Sequence, residues 1–175
     1  AEWDTEKNAP LLPMLVAPGT VRKAWWRCPK GHSYRAAISS RAGGGTGCPF
    51  CAGQKALQGE NDLATQYPQL AAQWDRQKNG ALIPEAVTSG SNRRVWWRCE
   101  KGHSYPAVIA HRVRSGSDCP YCSNHKVLPG FNDLATIEPV VVSQWHPTRN
   151  GSLTPQQVTP GSSRKAWWLC DKGHA

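Results

Sequence analysis

Apolar residues fall in short runs along this chain, and each run has a counterpart further on. Arg22-Lys23-Ala24-Trp25-Trp26-Arg27 leads into Cys28 and reads as a strand. Successive strand side chains face opposite ways, so Ala24, Trp26 and Cys28 share the inward side, and Lys23, Trp25 and Arg27 the outward one. A second strand is predicted over residues 33–38, where Ala36 and Ile38 alternate, folding a hairpin across Gly31-His32. A Gly-rich turn then leads to Cys48-Pro49-Phe50-Cys51. Beyond it, Asn61-Asp62-Leu63-Ala64-Thr65 and Asn132-Asp133-Leu134-Ala135-Thr136 read as capped helical turns. Pro68 suits the first position of a helix on which Leu70 and Trp74 share a face. The copy at Pro139 runs into Val140-Val141-Val142, which are poor helix formers.

The counterparts obey one period. Cys28, Cys99 and Cys170 stand 71 apart, as do His32, His103 and His174, and Trp3, Trp74 and Trp145. Residues 3–73 align with 74–144 without a gap and agree at 35 of 71 positions. The expected domains are therefore repeat one over 1–73, repeat two over 74–144 and a shortened repeat three over 145–175. Because the Trp closing one repeat opens the next, no flexible linker separates them, and a stiff array is expected. The third copy stops just past Cys170 and His174, so the expectation is an array that continues. The fold class follows: small α+β repeats, each a β-hairpin with short helices, arranged in tandem and stapled by metal.

The metal reading rests on spacing. Cys28-x3-His32 precedes Cys48-x2-Cys51, and Cys99-x3-His103 precedes Cys119-x2-Cys122. Two close pairs a hairpin apart supply the four ligands of tetrahedral Zn2+, and thiolates with one imidazole favour zinc over magnesium or calcium. Two complete sites and one incomplete pair, Cys170 with His174, are expected. Four protein ligands leave no open position for water, so the role is structural. A repeat this small needs such a staple, and zinc supplies on the order of 10–16 kcal/mol in finger peptides.

Composition narrows the rest. Seven cysteines in an odd count argue against a disulfide framework. No apolar stretch reaches membrane-spanning length and no charged-then-apolar leader opens the chain, so a reducing, cytoplasmic setting is expected. The formal charge is +9, and two Zn2+-loaded Cys3His sites at −1 each leave about +7. That balance suits a polyanionic partner. Candidate nucleic-acid contacts are Arg22, Lys23, Trp25, Arg27, Arg41, Arg93, Arg94, Trp96, Arg98, Arg112, Arg114, Arg164 and Lys165. A Trp between two cations on an open face could stack a base while its neighbours meet phosphates. The same residues also fit a bland reading, in which the Trp fills a small core and Lys and Arg stems cover it.

Taken together, WWRCxKGHSYxAxIxxR, CPxC, GxNDLAT and the following Pro and Trp resemble a bacterial treble-clef, zinc-ribbon-like tandem repeat family. The likeness spans essentially the whole chain. It implies a treble-clef-like hairpin with zinc at the Cys and His positions named above. Members are sometimes joined to nuclease domains, which hints at nucleic acid. The leading expectation is a non-catalytic nucleic-acid-binding module, with DNA ahead of RNA. A protein-interaction scaffold is the alternative. No paired carboxylates, Ser-His-Asp set or phosphate-cradling loop recur between repeats, so neither an enzyme nor a small-molecule substrate is expected.

Overall fold

A computed structural model describes residues 2–175. They divide into two compact units, Ala1–Trp96 with Ala107–Arg114, and Trp97–Pro106 with Ser115–Ala175.

The first unit opens with α1 (Thr5–Asn8), capped by the Asp4 side chain. A 3-10 turn at Pro13–Leu15 follows, then the hairpin of β1 (Lys23–Arg27) and β2 (Ser33–Ala37). These strands pair antiparallel, with Trp25 opposite Arg35 and Trp26 opposite Tyr34. The chain before α1 adds a short outer edge. Arg27 N donates to Glu2 O at 2.7 Å, and Trp3 bridges Trp26 with its ring edge-on at 5.4 Å. The alternation read from sequence holds at Ala24 and Cys28, which are buried, and at Lys23 and Arg27, which are exposed, whereas Trp25 and Trp26 are both half-buried.

Ile38 does not continue the strand. Its amide donates to Arg22 O at 3.0 Å, the last bond across the hairpin, and the chain then winds into α2 (Ile38–Ala42). This helix was not expected, because its few residues sit where the Gly-rich turn was read. The remaining elements of the first repeat are α3 (Leu63–Gln66) and α4 (Pro68–Ala72). Asp62 caps α3 as expected, accepting from Thr65 N at 2.9 Å, and is itself fully buried. Although burial opposes it, bonds from Thr65 and Gly59 hold the Asp62 carboxyl below its ordinary value.

Trp74 lies outside the helix it was assigned to. After Ala72 the chain tightens, Trp74 N bonding Ala71 O at 3.0 Å, and then straightens so that Asp75 N meets Trp96 O at 3.1 Å. Joining the next hairpin as an edge outweighs one more helical turn, and the Trp74 indole N–H finds Leu82 O at 2.9 Å.

Repeat two then supplies α5 (Arg76–Asn79), a 3-10 turn at Pro84–Ala86, the hairpin of β3 (Arg94–Arg98) and β4 (Ser104–Val108), and α6 (Ile109–Ser115). Two residues longer than α2, α6 carries Arg114 and Ser115 where the first repeat has Gly43 and Gly44, which favour coil. Next come α7 (Leu134–Ile137), α8 (Pro139–Val142) and a 3-10 turn at Pro155–Gln157. The three valines of α8 are helical despite their weak propensity, since Pro139 fixes the first turn and only four residues are asked of it.

One device appears in all three copies. Asn8 Oδ1 accepts from Trp25 N at 2.9 Å and its Nδ2 donates to Trp25 O at 2.8 Å. Asn79 clamps Trp96 with the same pair of bonds, and Asn150 clamps Trp167. The side-chain amide thus does what a neighbouring strand's peptide group does. Among the described residues no helix is long and apolar enough to cross a membrane.

Candidate metal centres and basic surface

Cys28 follows β1 directly and begins a tight turn closed by Gly31 N to Cys28 O at 2.8 Å and Cys28 N to His32 O at 3.0 Å. Gly31 takes φ +87° there, a conformation that favours glycine. The second knuckle is closed by Ala52 N to Cys48 O at 2.9 Å. Between them, Cys28 Sγ lies 3.8 Å from Cys51 Sγ, and His32 Nδ1 lies 3.6 Å from Cys48 Sγ and 3.3 Å from Cys51 Sγ. The second site repeats this. Cys99 Sγ is 3.9 Å from Cys122 Sγ, and His103 Nδ1 is 3.8 and 3.4 Å from Cys119 and Cys122. In both groups all four ligand atoms lie within 4.8 Å of one another.

These are edges of a tetrahedron. Zn–S bonds of about 2.3 Å and a Zn–N bond of about 2.0–2.1 Å set edges of about 3.8 Å between sulfurs and about 3.6 Å from sulfur to nitrogen. Both Cys3His groups therefore fit a tetrahedral ion. The thiols also feel their crowding. Burial, with Cys28 and Cys48 alongside, pushes Cys51 up to about 11, and Cys122 is raised in the same way by burial and by Cys119 and Cys99. Against burial, the Cys51 amide and the His32 ring bring Cys48 down to about 7. Three sulfurs this close ionise together only around a cation.

The family described as a probable treble clef zinc finger domain matches residues 1–54, 70–125 and 141–175. The chain belongs to this family. Among curated proteins none matches it.

The third match includes the pair Cys170 and His174, placed by the same turn: Cys170 N bonds His174 O at 3.0 Å and Gly173 N bonds Cys170 O at 2.8 Å. Among the described residues no other Cys or His joins them, and two ligand sets are complete. His111 and His125 are exposed, and His146 Nδ1 accepts from Thr148 N and Arg149 N.

Residues that the spacing did not reveal hold the knuckles. Asn61 Nδ2 donates to Phe50 O at 2.7 Å and to Lys55 O at 3.0 Å, while its Oδ1 takes Leu57 N at 2.6 Å. Asn132 does the same for Tyr121 O, Lys126 O and Leu128 N. Glu60 was also missed. With Nδ1 turned to the sulfurs, His32 Nε2 carries the proton and donates it to Glu60 Oε2 at 2.7 Å. That bond, helped by Cys48, raises the His32 pKa. The exact step of 71 in Asn61 and Asn132 was the available signal for the asparagines. Glu60 offered none, because its counterpart is Phe131.

The cations of the treble clef hairpins separate into two groups. Arg22, Lys23, Arg27, Arg93, Arg94, Arg98, Arg114, Arg164 and Lys165 are exposed. Arg27 is neutralised in part by Asp4 at 3.4 Å and Glu6 at 3.7 Å. Arg41 and Arg112, also named as candidate contacts, turn inward. Arg41 pairs with Glu2 and stacks over Trp26 at 5.4 Å, and Arg112, only 5% exposed, bonds Gln73. Nor do the outer tryptophans present bare rings. Lys7 covers Trp25 at 4.7 Å with Arg35 at 5.8 Å, Lys78 covers Trp96 at 4.1 Å, and Arg149 covers Trp167 at 5.1 Å. A cation lies over each of the Trp25 and Trp96 rings because Lys7 and Lys78 ride on the turns that clamp those strands.

Proposed function

We propose that this array is a non-catalytic, cytoplasmic nucleic-acid-binding module whose two Cys3His sites hold structural Zn2+, with duplex DNA its preferred ligand ahead of RNA. The observation that carries this reading is the recurrence of exposed cations at a fixed place ahead of the first cysteine of each copy: Arg22 and Lys23, Arg93 and Arg94, Arg164 and Lys165, each pair 71 residues from the last. A metal-stapled hairpin presents such cations at a regular spacing, and phosphate contacts need position more than base-edge chemistry. In the first unit Arg93 and Lys55 also line a groove of about 680 Å³. Capped rings leave phosphate contact, not base stacking, as the main source of affinity.

Fluorescence anisotropy of the zinc-loaded protein with duplex DNA, single-stranded DNA and RNA at two salt concentrations tests this. Binding that weakens with a log–log salt slope of about −0.9 per duplex phosphate contacted supports it. Absence of binding to all three at low salt overturns it. A second reading, a protein-interaction scaffold, is favoured by the exposed Leu12, Met14, Leu15 and Val21. Salt-insensitive capture of a protein that survives loss of Arg22, Lys23, Arg93 and Arg94 would establish that reading instead.

A further inference from the structure

Two joints of one kind recur in the array. At the first, Leu63 N donates to Val87 O at 2.8 Å and Asp62 bridges Thr88. Leu63, Pro84, Val87 and Thr88 are all buried there. At the second, Leu134 N donates to Val158 O at 2.8 Å, and Val158 is buried. In both, the leucine precedes its valine by 24 residues. The donor is a capped Asn-Asp-Leu-Ala-Thr turn, and the acceptor is the extended residue that follows a 3-10 turn.

The acceptor exists a third time. Pro13–Leu15 is a 3-10 turn, and Val16 follows it with φ −130° and ψ 136°, against φ −130°, ψ 150° at Val87 and φ −132°, ψ 148° at Val158. Among the described residues no capped turn covers it here. Pro13 and Ala17 are exposed and Val16 is half-buried, and among the described residues no amide reaches the Val16 carbonyl. The surround is more apolar in this copy than in the third. Leu12, Met14, Leu15 and Val21 stand where the third copy has Thr154, Gln156, Gln157 and Ser163.

We propose that the face formed by Pro13, Val16 and Ala17 is a docking site for the Asn-Asp-Leu-Ala-Thr turn of a further repeat of this kind, tethered ahead of Trp3. Both occupied joints define what fits: a backbone amide for the Val16 carbonyl, a leucine to cover Pro13, and a self-capped Asp that brings no unpaired charge into the contact. A second copy of this chain is a poor occupant, because both of its own such turns are engaged within the array. The proposal is independent of the nucleic-acid reading.

The test extends the protein with its own sequence. Residues 55–71 are joined ahead of Ala1, which keeps the step because Glu2 stands where Gln73 does. The control carries Leu63→Asp in the appended copy only, and zinc content confirms that the array itself is folded. Amide hydrogen exchange is expected to be slowed by at least about tenfold at the appended Leu and Thr relative to the control. Equal exchange in the two proteins would overturn the proposal. So would concentration-dependent self-association of the unextended chain that Ala17→Asp abolishes, since that would place a second copy on the face.

Discussion

Behind His32 stands the carboxylate of Glu60, and behind His103, at the same step of the repeat, stands the ring of Phe131 at 4.1 Å. The ligand sets are otherwise alike, so the pair separates two ways of supporting a metal-bound histidine. Glu60 fixes the ring by a hydrogen bond to the distal nitrogen and adds a negative charge near the ion. Phe131 fixes it by packing, with the Lys101 ammonium 5.4 Å from the centre of the Phe131 ring. Outer partners of this kind typically change metal affinity 10–100-fold. The first centre is therefore expected to bind the more tightly of the two, while the hairpin and its fold remain the same.

The largest effect should come from removing a ligand. Cys48→Ala or Cys119→Ala is expected to cost one zinc per chain and to unfold the hairpin around the lost site, because metal binding supplies on the order of 10 kcal/mol. Elemental analysis with circular dichroism checks this, and full zinc content with an unchanged spectrum would refute it. Next are the leucines at the joints. Leu63→Ala should destabilise by about 2–5 kcal/mol, and Leu134→Ala by somewhat less, since Leu63 is sealed and Leu134 is 7% exposed. Thermal melts of the zinc-loaded variants would show the order.

The comparison itself is sharpened by exchanging the supports. Glu60→Gln is expected to weaken the first centre by about tenfold toward the second, and Phe131→Glu to strengthen the second by a similar factor. Competition against a chromophoric chelator, read as two separate steps, measures both. If the steps stay in place, the carboxylate is a bystander. An effect of similar size should be at the caps, where Asp62→Ala or Asp133→Ala is expected to cost about 1–2 kcal/mol at neutral pH in a denaturant titration.

Much of this was legible beforehand because metal ligation and strand alternation are local. Cys28, His32, Cys48 and Cys51 declare themselves by spacing, and Ala24 and Cys28 by period two. What escaped depends on where the chain goes next. Ile38 has the right character for a strand, but the partner strand ends with the bond to Arg22 O, so the residue starts a helix instead. Trp74 sits at helical spacing from Leu70, yet the following hairpin draws it out. Arg41 and Arg112 looked like surface cations because a sequence does not show Glu2 and Gln73 approaching them from 39 residues upstream. Glu60 is 28 residues from the ring it holds, and the repeat hides it by placing phenylalanine in the other copy.

The asparagine clamps bear on how the molecule ages. Asn79 and Asn150 each precede a glycine, the pairing most prone to deamidation, because a following glycine leaves its amide nitrogen free to attack the side-chain carbonyl. In the folded array both amide atoms of Asn79 are bonded to Trp96, and that attack would require breaking both bonds. Metal loss that loosens the hairpin should therefore start a chemical clock at Asn79, but only slowly at Asn8, which precedes alanine. Each conversion would put a carboxylate against a tryptophan carbonyl where an N–H had been, so a unit that stayed open too long could not close as before.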